Sequence, residues 1–556
     1  MPEAPAPSSP DPYAPSPTFW QRHADSVAAA VVAVFTCVLT VMAFPPFRTP
    51  EFAYAMLVPG VFWAYRRPRL KLYVGTMLAA QAVAWTILLS WLHHVTWGGW
   101  LLLGPFVGVW VGSWYLAVWW TMPRMLGRPT LVRLAALLAL AAAWVLIEWT
   151  RTWLLGGFPW LPLAASQWTM VSMLQIAAYT GAVGVSFVVV AVNLGFTAYA
   201  HRLSREGRTG LNKRSQEFFL ALFLVLVCFS LHAVNSVNRQ RFTVPFARVA
   251  FVQPAIPQSV KWDPAQGPGI VDVLEKTTLA AAATRPDLIL WPEASTPWAV
   301  KGGDGTRAFV ESLAHRAQAP LLLGSIAIER AGQPDEQWFN GAFLVDPVVG
   351  LQTTYYAKRH LVPFGEYVPL RPLLGWLNKF VDVGDGDFSP GADSSPLIAR
   401  VGGNPVTIGP LICYEDIFPD LARASARVGS DVLVVLTNDA WYGESGAAVQ
   451  HAAHSVLRAV ETRRPVLRDG NDGWSGWIDE FGNVRHVVEH GTRGIYFRGT
   501  ETVTVTRDAR WIGRQSFYAT YGDWFIALCA LLALLGFSAL RTAAAAPIPE
   551  SAPAEE

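Results

Sequence analysis

"GPLICYEDIFPD", residues 409–420, runs from an apolar stretch into a cysteine, then into Tyr414, Glu415 and Asp416. A thiol buried for packing wants apolar neighbours. A thiol used as a nucleophile wants a strand end and partners that control its proton. With "PVTI" before it, the stretch predicts a buried strand over 405–412 that delivers Cys413, followed by a helix near 418–427. That order is the signature of a layered α/β domain with functional groups at its strand ends.

The same alternation extends on both sides. "ARVAFVQPAI" (247–256) reads as a strand and is followed by a helical stretch around 268–284. "DLILWPE" (287–293) is a strand, and "RAFVESLAHRAQ" after it has helical spacing. "PLLLGSIAIE", "NGAFLVD" and "DVLVVLTND" are further strands, the last leading to a helix over 447–463. "GWIDEFGNVRHVV" predicts a hairpin-like turn between extended runs. The predicted α/β domain covers 245–510.

Outside it the chain is a different material. Of 556 residues 52% are hydrophobic and only 15% charged, too apolar for an ordinary soluble protein. Eight apolar runs account for this: 27–44, 51–65, 72–92, 101–121, 133–150, 172–200, 217–234 and 523–541. All but the short second are near the roughly 20 residues that cross a bilayer core. The predicted fold is therefore a multi-pass helical membrane domain over 20–234, the α/β domain, and a last membrane helix over 523–541. The Pro/Ala-rich ends, 1–19 and 542–556, read as disordered tails. Pro45-Pro46 is not a cleavage site, so the first run is read as a helix and not as a removable signal. No internal repeat is present.

Charge orients this arrangement. The second, fourth and sixth loops carry twelve Lys and Arg, from Arg66 to Arg214; the odd loops carry Arg48 and Arg151. Both termini and the even loops are then expected in the cytoplasm, and the α/β domain outside. A net charge of +2 without a basic patch among aromatics gives no sign of nucleic-acid binding. Trp91, Trp97, Trp100, Trp160 and Trp168 fit an interfacial belt. Cys37, Cys228 and Cys529 lie in apolar helices, leaving Cys413 alone in the outer domain. A disulfide framework is not expected, and chemistry is one reason to keep a lone thiol there.

Three strand or segment ends gather chemistry: Glu293 after "LILWP", Lys358 and Glu366 in "YYAKRHLVPFGEYVP", and Cys413. Singly these read as a helix cap, a solvated charge and an ion-pair partner. Together they supply a base, a cation and a nucleophile. "WPEAS", "YAKRHLVPFGEYVP" and "ICYEDIFPD", in that order, resemble the Glu–Lys–Cys sites of the nitrilase (carbon–nitrogen hydrolase) superfamily. "GFPWLPLAASQW" (157–168), "QPAIPQSVKWD" (253–263), "TNDAWYG" (437–443), "RAVETRRPVLR" (458–468) and the eight helices narrow the resemblance to the apolipoprotein N-acyltransferase family, over roughly 25–541.

The resemblance implies an αββα sandwich and an acyltransferase. A phospholipid donates its sn-1 acyl chain to Cys413 as a thioester, and the N-terminal amine of a diacylated lipoprotein accepts it, on the outer face of the bacterial inner membrane. Glu293 would be the base. Lys358, with the Tyr414 N–H, would hold the oxyanion. Glu366, Trp262 and Trp441 would line the site; Glu415 would line it or serve as a structural hydrogen-bond acceptor. No cofactor or metal is implied, and a monomer is expected. The apolar "LRPLLGWLNKFV" (370–381) is read as a membrane-dipping arm, and Glu148 with Arg151 as a head-group contact or an interfacial ion pair. "RDGNDG" (468–473) departs from the family pattern, because Asp469 and Asp472 add charge near the expected pocket wall. Two other readings stay open: a membrane-tethered carbon–nitrogen hydrolase using water, and a transporter with a ligand-binding outer domain.

Overall fold

The computed structural model describes residues 23–206, 215–261, 263–369, 371 and 388–543. Among the described residues, eight α-helices of seven residues or more form the membrane-embedded part before the α/β domain: α1 (Ala24–Ala43), α2 (Val58–Ala64), α3 (Leu70–Leu88), α4 (Trp97–Gly112), α5 (Trp114–Met125), α6 (Thr130–Thr150), α7 (Ala182–Glu206) and α8 (Gln216–Ser236). Among the described residues, seven helical spans are long and apolar enough to cross a bilayer, with α4 and α5 counted as one.

The 51–65 run is not a single helix. It is a 3-10 turn, Pro50–Tyr54, followed by the seven-residue α2. Backbone freed by such a break inside hydrocarbon needs a polar partner. Buried Asn193 on α7 supplies it, accepting from Leu57 N–H (3.0 Å) and donating to the Ala53 carbonyl (2.8 Å). Gln167 donates to the Pro50 carbonyl at 3.0 Å and accepts from the Tyr54 hydroxyl at 2.7 Å. The segment still runs from end to end of the bundle. Pro45 meets the α/β domain, whereas Tyr65 stacks on His201 and Arg67 donates to the Pro123 carbonyl at the far end. The 172–200 run also differs from expectation. Gly181 (φ 73°) interrupts it, and α7 begins at Ala182, whose N–H is capped by Glu461 at 2.7 Å.

In the α/β domain two sheets face each other. The first has the order β13-β1-β2-β3-β4-β5: β1 (Thr243–Gln253), β2 (Leu288–Trp291), β3 (Leu321–Glu329), β4 (Gln337–Asp346), β5 (Gly350–Leu351) and β13 (Gly499–Asp508), with β6 (Tyr356–Ala357) also on β4. The second has the order β12-β11-β10-β9-β8-β7: β7 (Leu397–Val401), β8 (Asn404–Ile412), β9 (Val432–Thr437), β10 (Val466–Gly470), β11 (Gly476–Ile478) and β12 (Val484–Val487). The centre of each sheet is parallel, β1-β2-β3 and β8-β9-β10. Val249, Leu290, Leu322, Ile408, Val434 and Leu467 meet between the sheets. Helices α9 (Gly267–Ala282) and α10 (Asp304–Ala317) cover the outer face of the first sheet.

The second sheet's outer face carries α11 (Pro419–Arg427) and α12 (Ala447–Thr462), and their core is continuous with that of the membrane helices. Every residue of α12 except the half-buried Val449 is buried. A helix covered on all sides must pair its polar groups. Gln450 does so with four bonds: it accepts from the indoles of Trp91 (3.0 Å) and Trp160 (2.9 Å) and donates to the carbonyls of Pro45 and Leu88 (both 3.0 Å). The last helix, α13 (Trp524–Thr542), returns to the bundle and packs on α6.

Candidate active site

Strand β8 ends at Ile412, and Cys413 turns the chain into a 3-10 turn, Cys413–Ile417, with φ at 50°. A side chain in that backbone region needs surroundings that impose it. Glu415 is one cause. Its carboxylate accepts from Ile412 N–H (2.7 Å), Arg359 N–H (2.7 Å), His360 N–H (3.3 Å) and the Tyr356 hydroxyl (2.8 Å). One buried carboxylate thus closes the turn and fixes the segment bearing Lys358 beside it. Glu415 is fully buried and spends its oxygens on protein groups.

Below the turn lies a sealed ionic cluster. His451, on α12, sits 2.9 Å from Asp416 and 2.9 Å from Asp439, and its Nε2 is 3.2 Å from the Cys413 carbonyl. Arg468, on β10, reaches Asp416 at 2.8 Å and Asp439 at 3.3 Å, and Ser455 donates to Asp416 at 2.6 Å. Burial opposes charge on both aspartates, but His451 and Arg468 hold them below the usual carboxylate range. Burial and Arg468 oppose a proton on His451, yet the two aspartates raise it above an ordinary histidine.

Above the turn the second cluster forms. Lys358 Nζ lies 2.9 Å from Glu366 Oε1 and 3.2 Å from Glu293 Oε1. Asn340, on β4, donates to both carboxylates at 2.8 and 3.0 Å, and its carbonyl accepts from Lys358 N–H at 2.8 Å. Glu366 is tied back to Val362 N–H at 2.8 Å. Glu293 Oε2 has no protein partner among the described residues. Gly324 permits this placement, because a Cβ there would lie 2.6 Å from the Glu293 Cα. Lys261 Nζ holds the Glu293 carbonyl at 3.0 Å.

These contacts set the proton inventory. Burial and Glu293 push the Cys413 thiol up, and Lys358 offsets this only in part. Burial alone would discharge Lys358, but Glu366, Glu293 and the thiol hold its ammonium firmly charged. Burial brings Lys261 down to about 8 against the pull of Glu293 and Cys413. The resting thiol is therefore protonated and needs a base, and a carboxylate with one unused oxygen stands next to a fixed cation.

The remaining sequence candidates fall in different places. Tyr414 is buried and donates to the Gly157 carbonyl at 3.0 Å. Trp441 is 38% exposed, in the turn after β9. Trp262 and most of the 370–381 arm lie outside the described residues. Glu148 accepts from Leu163 N–H at 2.6 Å, while Arg151 holds the carbonyls of Phe158 and Trp160, so the pair shapes the 157–163 segment. Asp469, two residues along β10 from the inter-sheet Leu467, has no side-chain partner among the described residues, and burial lifts its carboxyl well above the ordinary value. Asn340, Lys261, His451 and Gln450 escaped the sequence reading: Lys261 lies in a quoted motif that gave it no role, the other three lie in an ordinary-looking strand and helix, and the partners of all four are remote in the chain.

A carbon–nitrogen hydrolase sandwich joined to a membrane bundle is the class that this fold and site define. The family description "Carbon-nitrogen hydrolase" matches residues 248–509, and "Apolipoprotein N-acyltransferase N-terminal domain" matches 36–195. The chain is 32% identical over 521 residues to the apolipoprotein N-acyltransferase of Geobacter metallireducens, spanning 91% of this chain and 95% of the relative. It is 33% identical over 379 residues to that of Pseudomonas aeruginosa, spanning 68% and 70%. Among solved structures, an amidase from Nesterenkonia sp. aligns with 47% of this chain and 93% of its own, at 19% identity and a TM-score of 0.34. The chain belongs to the apolipoprotein N-acyltransferase family.

Proposed function

We propose that this chain moves the sn-1 acyl chain of a phospholipid, through a thioester on Cys413, to the N-terminal amine of a diacylglyceryl-cysteine lipoprotein. The observation that carries the reading is a protonated, buried thiol set against a base and a fixed cation, on a domain whose helical layer is shared with a membrane bundle. Glu293 takes the thiol proton as sulfur attacks the ester carbonyl. Lys358 and the Tyr414 N–H hold the oxyanion. Collapse breaks the acyl C–O bond, and Glu293 returns the proton to the glycerol oxygen of the departing lysophospholipid. The lipoprotein amine then attacks the thioester; Glu293 takes its proton, the C–S bond breaks, and the sulfur regains its hydrogen. Glu366, through Lys358 and Asn340, keeps the cation in place.

Among the described residues of the basic even loops, Arg67 and Arg133 stand at the bundle end away from the α/β domain, Arg67 on the Pro123 carbonyl and Arg133 paired with Glu217 at 2.5 Å. This supports an outer-facing site in the bacterial inner membrane. The test is mass spectrometry of the full-length protein mixed with phospholipid alone. A mass increase of one acyl group on Cys413 is expected, and it should be absent from Cys413→Ala. An adduct that persists in Cys413→Ala would overturn the assignment. An adduct released to water but never to an acceptor amine would make the protein a hydrolase.

A further inference from the structure

A cavity of about 450 Å³ opens between Ala255, Asp472, Arg493, Tyr496, Phe497 and Arg498. Arg493 and Arg498 are exposed at its mouth. Arg498 donates to two backbone carbonyls, those of Pro254 (2.8 Å) and Ala255 (3.4 Å), which fix its plane without neutralising it. Among the described residues neither arginine has an ion-pair partner, and the buried Oδ1 of Asp472 has no hydrogen-bond partner. Burial, together with Glu444 and Asp439, lifts the Asp472 carboxyl to about 6, so it is still largely ionised at neutral pH.

The lining of the cavity is linked by short chains of contacts to the thiol's surroundings and to the bundle. On one side Asn471, next to Asp472, donates its N–H to the Thr437 carbonyl at 3.0 Å, and the Thr437 side chain hydrogen-bonds the Cys413 thiol. On the other side the Tyr496 hydroxyl donates to the Ser445 carbonyl at 2.7 Å. The flanking Gly443 and Gly446 pack against His94 and Pro46, at the outer ends of α3 and α1. An ester placed at Cys413, with its acyl chains toward the bundle, would put the polar end of the same molecule in this cavity.

We propose that this cavity is the head-group site of the acyl donor, with Arg493 and Arg498 on the phosphodiester and Asp472 selecting heads that carry an amine. Two guanidiniums suit a phosphate oxygen pair, and a lone carboxylate beside them suits a cation linked to that phosphate. The inference rests on the proposed function.

Binding and chemistry are read separately to test it. Native mass spectrometry of the full-length protein in detergent measures binding of short-chain phosphatidylethanolamine, phosphatidylglycerol and the matched diacylglycerol. Acyl-adduct formation on Cys413 is followed in parallel, and free glycerophosphoethanolamine is added as competitor. The phosphorylated lipids should bind roughly tenfold or more tightly than diacylglycerol. Arg493→Gln with Arg498→Gln should erase that gap. Asp472→Asn should bring the ethanolamine-to-glycerol ratio to about one. Unchanged ratios in both variants would overturn the head-group site even where the adduct forms. Erased ratios with no adduct on wild type would leave the site standing and reject the acyl-transfer reading. Competition by the water-soluble head is expected to weaken lipid binding and to vanish in Arg493→Gln with Arg498→Gln; competition that persists in that variant would place the head elsewhere and overturn the site.

Discussion

Two buried clusters of charge flank Cys413, one of Asp416, Asp439, His451 and Arg468, the other of Glu293, Glu366, Lys358 and Lys261. Each combines two acidic with two basic side chains, yet they are finished differently. In the lower cluster each charged group meets two others and none is exposed. In the upper one Glu293 keeps an oxygen without a protein partner, and the Glu366 side chain is 12% exposed. Closed pairing fixes the backbone of the Cys413 turn; open pairing leaves a charge able to act on something that arrives. The difference can be broken from either side.

The largest effect is expected from Arg468→Met. It leaves two aspartates buried against a single histidine, and removing one partner of a buried pair costs about 3–5 kcal/mol. Thermal unfolding in detergent should show this as a large drop in Tm, and an unchanged Tm would mean that the lower cluster does not hold the fold. Lys358→Ala should instead slow acyl-adduct formation about 10²–10³-fold, as loss of an oxyanion partner does. Alkali should restore Glu293→Gln in part, because the thiol can then ionise without a base, but should not restore Lys358→Ala. Equal rescue of both would mean that Lys358 tunes the thiol.

Gly324→Ala sharpens the contrast at shorter range. Its methyl would press on the Glu293 backbone, with a cost of about 1–3 kcal/mol. Adduct formation should fall more than stability does; the reverse would place Gly324 in packing alone.

The smallest effect belongs to Asp469, which has no countercharge. Its folded-state carboxyl is raised, so the folded protein keeps a proton that the unfolded chain loses above about pH 4. The penalty is therefore absent in acid and grows as pH rises toward the folded value. Asp469→Asn should gain about 1–2 kcal/mol at pH 7.5 and little at pH 4.5, read as the difference in Tm between the two. A pH-independent gain would point to packing.

Much of this was legible in the chain. Near-continuous apolar runs located the central strands, because a strand buried between two layers shows its apolarity locally. α9, α10, α11 and α12 start within three residues of where periodicity placed them. Glu293 and Cys413 were readable because each ends such a run, and Lys358 because it lies in a distinctive motif. The lower cluster was not: His451 and Arg468 lie on a helix and a strand whose meeting with Asp416 is set by tertiary packing. The break between Tyr54 and Val58 was hidden for the same reason. Hydropathy registers how apolar a segment is, but not that Asn193, far along the chain, will serve its backbone.

Gln450 has a consequence for how such a protein can be divided. In chain order, 237–523 looks like a cassette inserted between two membrane helices. The four bonds of that one amide, to the ends of α1 and α3 and to two tryptophans, make the seam as tightly bonded as an interior. A fragment cut at the chain boundaries would bare α12 along its length. Chimaeras between relatives should therefore tolerate exchange at the far end of the bundle and fail at Pro45, Leu88, Trp91 and Trp160 unless those positions travel with α12. The heritable unit is the joint, which no single stretch of sequence contains.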